Sequence, residues 1–163
     1  MSNYYILIMG KNEQIFNTDL IDKKLLNILL DDSRLSYRQI ARKMKKSVTT
    51  VINRIKKLEK SGIIKKYSAD IDYGKLGYQI EVIIDLRISK GKLHEVERKI
   101  AMHKNVFAVY DNTGNFDATI IARFKTRKTM DEFLKQIQTY DFVERTETKL
   151  ILSTIKEDRI SIL

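Results

Sequence analysis

The hydrophobic rhythm of this 163-residue chain changes near residues 74–77, and that change limits the folds open to it more than any other feature. Before it, apolar residues recur at helical spacing. Ile21, Leu25, Ile28 and Leu29 stand at i, i+4, i+7 and i+8, one stripe on a helix opened by Thr18 or Asp19 as its cap. Ser36 and Gln39 form a capping-box pattern with Leu35 and Ile40 at the flanking staple positions, and Tyr37, Ile40, Ala41 and Met44 complete an apolar face. That predicts a two-turn helix. After Lys45 and Lys46, Ser47 caps a third helix with Val48, Val51, Ile52, Ile55 and Leu58 inward and Gly62 as its left-handed terminator. Two helices joined by so short a turn predict a helix-turn-helix. From Ile63 through Tyr67 to Ile71 the chain turns strand-like.

Beyond Gly77 strands and helices alternate. Ile80, Val82, Ile84, Leu86 and Ile88 interleave with Glu81, Ile83, Asp85 and Arg87, a period of two that predicts a strand, and Leu93, Val96 and Ile100 follow at helical spacing. Residues 106–112 and 117–126 flank Thr113-Gly114-Asn115-Phe116 as a hairpin. Met130, Phe133, Leu134 and Ile137 mark a second helix, and residues 143–155 a last strand. The fold class is therefore α+β: a winged helix-turn-helix domain over residues 18–67, a connector over 68–78, and a ferredoxin-like βαββαβ domain over 79–163. Residues 1–17 form an N-terminal extension whose 4–9 run has strand composition and suits pairing with a sheet edge. Both helices of a ferredoxin-like sheet cover one face. Ile83 and Ile121 point to the other, so packing two copies through it is the economical cover.

Charge is concentrated in the first part. Residues 34–66 hold twelve Lys/Arg against one acid, Glu59, a local charge of +11 within a chain of +10. Duplex DNA carries condensed counterions whose release favours such a surface whatever the base sequence. The outward positions of the third predicted helix, Thr49, Thr50, Asn53, Arg54, Lys56 and Lys57, place short polar groups first and cations after them, the distribution a major-groove helix needs. The candidate DNA contacts are Arg38, Ser47, Val48, Thr49, Thr50, Asn53, Arg54 and Lys57. For Arg54 a second reading stands beside this one, in which an acid of the first helix such as Asp22 holds it.

The same composition excludes other classes. Without cysteine there are no disulfides, thiolate nucleophiles or Cys-ligated zinc, and a cytoplasmic address fits best. The longest apolar run, residues 4–9, is far short of the roughly 20 residues of a membrane helix. His94 and His103 are isolated, without ligand spacing, so no metal site is expected. With no glycine-rich phosphate loop and no acid pair with a defined partner, no catalytic residue and no cofactor are expected.

Ser47-x3-Val51-x2-Arg54-Ile55-x2-Leu58-Glu59-x2-Gly62-Ile63-Ile64-x2-Tyr67 resembles the helix-turn-helix and following segment of the Lrp/AsnC, or feast/famine, transcription regulators. Residues 69–78 resemble that family's connector, with Tyr73 where a proline is common, and Gly114-Asn115-Phe116-Asp117 and residues 143–148 are similar to two signatures of its effector domain. The resemblance implies a double-stranded-DNA-binding homodimer that assembles to a tetramer or octamer. It also implies a small-molecule effector, usually an amino acid, bound between C-terminal domains. Carried over by position, Gly114, Asp117, Thr146 and Thr148 contribute to that pocket. Backbone N–H groups, threonine hydroxyls and one carboxylate suit a zwitterion, with Asp117 the candidate for its ammonium group. The chain departs from the family in its first 17 residues. Siroheme decarboxylases share a similar layout, so a decarboxylase-like enzyme is one rival, and an architectural protein coating DNA with little sequence preference is the other.

Overall fold

The computed structural model describes residues 16–89, 91–158 and 160–162, and the strand expected at residues 4–9 lies outside them. The chain divides into two compact units, one of Met1–Ala69 with Asp158–Leu163 and one of Asp70–Glu157. No helix among the described residues is long and apolar enough to cross a membrane.

The first unit contains α1 (Leu20–Asp31), α2 (Tyr37–Met44) and α3 (Val48–Lys60). Each starts at a short polar cap, which satisfies amide groups that a helix end cannot pair internally. The Asp19 carboxylate accepts from the N–H groups of Ile21 and Asp22 at 2.9 and 2.8 Å. Ser36 and Gln39 bond reciprocally, the Gln39 N–H to Ser36 Oγ and the Ser36 N–H to Gln39 Oε1. Ser47 Oγ accepts from the Thr50 N–H at 3.1 Å. Leu25, Leu29, Ile40, Ala41, Met44, Val51, Ile55 and Leu58 close one core, with Leu35, Ile63 and Ile64 at its margin. Gly62, at φ +74°, lets its N–H return to the Glu59 carbonyl and reverse the chain.

Three expectations need correction here. Tyr37 and Val48, read as inward, are exposed. Each is the first residue of its helix, where the Cα–Cβ bond tilts back off the end of the packed turns. The stretch from residue 63 to 72 forms no strand among the described residues; the described part of this unit offers it only helices as neighbours, and a ladder needs another strand. Tyr67 instead fastens this segment to α3, its hydroxyl donating to Glu59 Oε1 at 2.9 Å.

The second unit follows the expected order: β1 (Ile80–Ile88), α4 (Leu93–Ala101), β2 (Val106–Asp111), β3 (Ala118–Phe124), α5 (Arg127–Gln138) and β4 (Val143–Leu150). The strands form one antiparallel sheet in the order β2-β3-β1-β4. Val82, Ile84, Leu86 and Ile88 of β1 and Ala118, Ile120, Ala122 and Phe124 of β3 face the helices, where Val96, Ile100, Phe133 and Ile137 complete the core. The intervening residues, Ile83 and Ile121 among them, lie on the opposite face in matched register. β4 stops at Leu150, short of the residue 155 expected. Its last bond runs from the Ile151 N–H to the Glu81 carbonyl, where β1 itself begins.

Candidate nucleic-acid interface and ligand-binding face

On α3 the buried residues Val51, Ile55 and Leu58 fix the opposite stripe, and Thr49, Asn53, Lys56 and Lys60 fall on it at i, i+4, i+7 and i+11. All four are exposed, as are Arg38, Ser47, Val48 and Lys57. The first turn is already ordered: Ser47 Oγ and Thr50 Oγ1 share a 2.8 Å hydrogen bond, so these two hydroxyls cap the helix and Thr50 is half-buried. Thr49 and Asn53 keep their polar groups outward. An asparagine amide can match an adenine edge in bidentate fashion, and a threonine can donate or accept, whereas lysines suit phosphates. Lys57 lies with its Nζ 5.1 Å from the Phe16 ring centre. Lys56 and Lys60 were not among the candidate contacts. The i, i+4, i+7, i+11 spacing from Thr49 was the signal for them.

Arg54 is placed elsewhere. Its Nη1 lies 2.7 and 2.6 Å from the two Asp19 oxygens and 2.7 Å from Asp22 Oδ1. Asp22 is 1% exposed and the Arg54 side chain 24%. The hydrogen bond from Arg54 holds the Asp19 carboxyl below its ordinary value, and Asp19 at the same time caps α1. Arg54 thus brackets α3 to the first turn of α1, the arrangement of the second reading, in which acids of the first helix hold it.

α2 joins α3 through Lys45, whose φ of +56° puts a non-glycine residue in the left-handed region. That conformation closes the turn by bringing the Lys45 and Lys46 N–H groups back to the Arg42 and Ala41 carbonyls.

In the second unit, Gly114 sits in the β2–β3 turn at φ +121°, a conformation that side chains rarely tolerate, so the turn by itself requires glycine there. Asp117 Oδ2 accepts from the Ile88 N–H at 2.8 Å, and the Asp117 N–H donates to the Leu86 carbonyl at 2.8 Å. One carboxylate oxygen therefore fastens the hairpin to β1, while Oδ1 has no hydrogen bond to a described residue. Thr146 opposes Leu86 and Thr148 opposes Ile84, which puts both threonines on the helix side of the sheet at its β4 edge. Asp117 and Thr146 flank Leu86 from opposite sides, Thr148 is two residues further along β4, and Gly114 stays out at the turn.

Sequence reasoning missed two clusters on the other sheet face. Asp85, 8% exposed, receives Lys149 Nζ at 2.7 Å and the Thr119 hydroxyl, which in turn accepts from the Asn112 amide. Burial pushes the Asp85 carboxyl up, but the bonds from Lys149 and Thr119 outweigh it and hold the group below its ordinary value. Arg123 pairs with Glu81 at 3.1 Å and Glu157 at 3.0 Å and lies 4.7 and 5.0 Å from the Phe107 and Tyr73 ring centres. The available signal was a charge in the middle of each apolar strand. The histidines stay apart: His94 Nδ1 meets Glu97 at 3.2 Å, and His103 stacks on Phe133 at 4.4 Å.

A helix-turn-helix with an exposed polar stripe, followed by a separate ferredoxin-like unit, defines a DNA-binding protein with a second regulatory domain. Comparison with known proteins agrees. A family model for winged helix-turn-helix DNA-binding matches residues 18–65, and one for the Lrp/AsnC ligand binding domain matches residues 81–161. The chain belongs to the Lrp/AsnC family and is a DNA-binding transcription regulator. An uncharacterised HTH-type transcriptional regulator of Pyrococcus furiosus is 45% identical over 86% of this chain and 95% of its own length. The HTH-type transcriptional regulator FL11 of Pyrococcus horikoshii is 36% identical, covering 85% and 92%. Among solved structures, B. subtilis LrpC superposes with a TM-score of 0.79 at 28% identity, covering 86% of this chain and 99% of that one. E. coli AsnC shares the fold with a TM-score of 0.84 at 24% identity, covering 90% and 99%. Relatives named as regulators do not favour the decarboxylase-like or the purely architectural reading.

Proposed function

We propose that the protein acts as a homodimer, able to assemble further, whose two α3 helices read a pseudo-palindromic site and whose affinity or assembly is set by an amino acid bound at the second unit. The observation that carries the DNA part is the division of labour on α3. Arg54 is turned inward onto Asp19 and Asp22, and the Thr49, Asn53, Lys56, Lys60 stripe is left facing outward. Half-sites are expected about 10 base pairs apart or at a multiple. If each dimer neutralises about 6–10 phosphates, affinity falls by about 10³–10⁵ between 50 and 200 mM salt.

The ligand part is supported by the match to a ligand-binding domain and by the chemistry of Asp117, Thr146 and Thr148. A regulator from Neisseria meningitidis with the same fold was solved as a complex with L-Met. An effector shifts such a system only through its difference in affinity between states. The deciding experiment selects bound duplexes from a random pool at about 0.15 M salt, with and without a mixture of the twenty amino acids. An enriched palindrome whose recovery shifts with the mixture supports both parts. Enrichment without a shift removes the amino acid, and no enrichment removes base-specific reading.

A further inference from the structure

The second unit carries a cationic cluster that ligand binding does not use. Lys125, Arg127 and Lys128 fall within four consecutive residues where β3 gives way to α5, and all three are exposed. None of them belongs to an ion pair among the described residues. Asp131 and Glu132 stand one turn on, at i+4 from Arg127 and Lys128, and do not pair with them. Elsewhere in the unit Lys92 and Lys99 are held by Glu95, Lys149 by Asp85, and Arg123 by Glu81 and Glu157. Arg98, Lys104, Lys135 and Lys156 are also outside these ion pairs, but they are scattered along the chain and not clustered within four residues. Lys125 is oriented without being neutralised, its Nζ lying 5.0 Å from the Tyr78 ring centre.

Local stability does not account for this arrangement. The start of a helix carries the positive end of its dipole, so acids are favoured there and cations are not. The first turn of α5 nevertheless has no acid and begins Arg127-Lys128. A local rule broken without a local compensation marks a position kept for something else.

We propose that Lys125, Arg127 and Lys128 form a second phosphate-binding patch, which holds DNA lying outside the half-sites read by α3. The patch offers three charges, and the Tyr78 ring beside it already faces Lys125, so it suits a phosphate backbone more than base edges. The covalently attached first unit delivers that backbone at high local concentration. The inference rests on the DNA-binding reading above. Three contacts at about 0.9 counterions each amount to a salt slope of about 2.7 per subunit, or about 5 per dimer.

The test uses the full chain and its Lys125→Gln/Arg127→Gln/Lys128→Gln variant on two duplexes with the same site. One is just long enough for two half-sites, about 25 base pairs, and the other extends it to about 80. Affinities are measured against KCl, and thermal midpoints of both proteins are recorded. The expected result is a steeper slope on the long duplex for the unmodified protein, abolished in the variant, with at least a tenfold loss on the long duplex at 0.1 M salt. Binding to the short duplex stays as it was, and the thermal midpoint does not fall. The proposal is overturned if the unmodified protein shows equal slopes on both duplexes, or if the variant loses equally on both or on neither. Failure of the unmodified protein to bind even the short duplex would overturn the DNA reading and the patch with it. That outcome is distinguished by needing no variant.

Discussion

Replacing Arg54 with methionine is the most informative single perturbation, because structure and DNA contact predict opposite outcomes. Methionine keeps the aliphatic stem and removes three charged contacts, two to Asp19 and one to Asp22. The Asp22 side chain is 1% exposed, so its carboxylate is left buried with no cation beside it. Breaking a fully buried pair costs about 3–5 kcal/mol. Here the Arg54 side chain is 24% and the Asp19 side chain 54% exposed, and solvent screening brings the expected loss down to about 2–3 kcal/mol. For a unit of this size that is a fall of roughly 10–20 °C in its thermal midpoint. The assay is hydrogen exchange of α1 and α3 amides in the full chain, which reports this unit separately from the other. A companion Asp22→Leu change in the Arg54→Met background should recover most of the loss, since the pair is then replaced by apolar packing. Acid should mimic the mutation. Asp19 has a lowered folded value, so its contribution is complete above the ordinary carboxylate value of about 4 and disappears as pH falls through the depressed one. Full α1 and α3 protection in Arg54→Met together with lost DNA affinity would refute this reasoning and restore Arg54 to the interface.

Lys45→Gly should stabilise the first unit by about 0.5–1 kcal/mol, because it relieves a side chain held at φ +56°; a lower thermal midpoint would show that the lysine makes a compensating contact. Asn53→Ala should lower specific binding by about 1–3 kcal/mol and leave random DNA almost unaffected, whereas Lys56→Ala should weaken both and reduce the salt slope by about one per subunit. Equal losses on specific and random duplexes for Asn53→Ala would remove its base-reading role. Asp117→Ala should cost about 1–3 kcal/mol by stranding the Ile88 N–H, but Asp117→Asn retains an acceptor and should keep the thermal midpoint while losing the amino-acid response. A normal response in the asparagine variant would displace the proposed pocket. Lys149→Met should move acid unfolding to higher pH. Asp85 is held below its unfolded value and stabilises the sheet above about pH 4, and without Lys149 burial pushes its carboxyl up, so protonation and loss begin earlier. An unmoved acid midpoint would show that Thr119 suffices.

Most of the fold was legible because its determinants are local. The Ser36/Gln39 box, the Ser47 cap and Gly62 are each read from a few neighbouring residues, and the structure uses all of them. The alternation of β1 likewise announced its two faces. The misreadings arose where the decisive partner is distant. Val48 fits an inward position on a helical wheel, but whether a first turn finds a neighbour depends on where the other helices end. β4 was read too long because its limit is set by the start of β1, about seventy residues away in the chain, and not by its own composition. Arg54 had two readings of equal standing in the sequence, and only the approach of Asp19 and Asp22 across more than thirty residues separates them. The Asp85–Thr119–Asn112 chain and the Arg123 cluster were invisible for the same reason: each joins side chains from three or more segments.

The open sheet face shows why these missed clusters bear on the proposed homodimer. A two-fold interface brings one surface against a copy of itself, so every charge must find its opposite within the same patch. A face of one sign would repel its copy. Here Glu81 lies opposite Arg123, and Glu147 opposite Asp85 with Lys149 bridging to both acids, while Arg87 opposes Arg145 at the far end of the same strand pair. Ile83 and Ile121 meet between these rows. Tyr110 of β2 pairs with Thr119 on this same face and adds to their apolar area, but a purely apolar face tolerates sliding. Rows of alternating sign penalise it, because a shift brings like charges together. The internal bonds of Asp85 and Arg123 hold those charges in place before association, which reduces the side-chain entropy lost on docking. In the proposed homodimer, the buried polar groups that look costly within one subunit would thus allow two subunits to meet in one way.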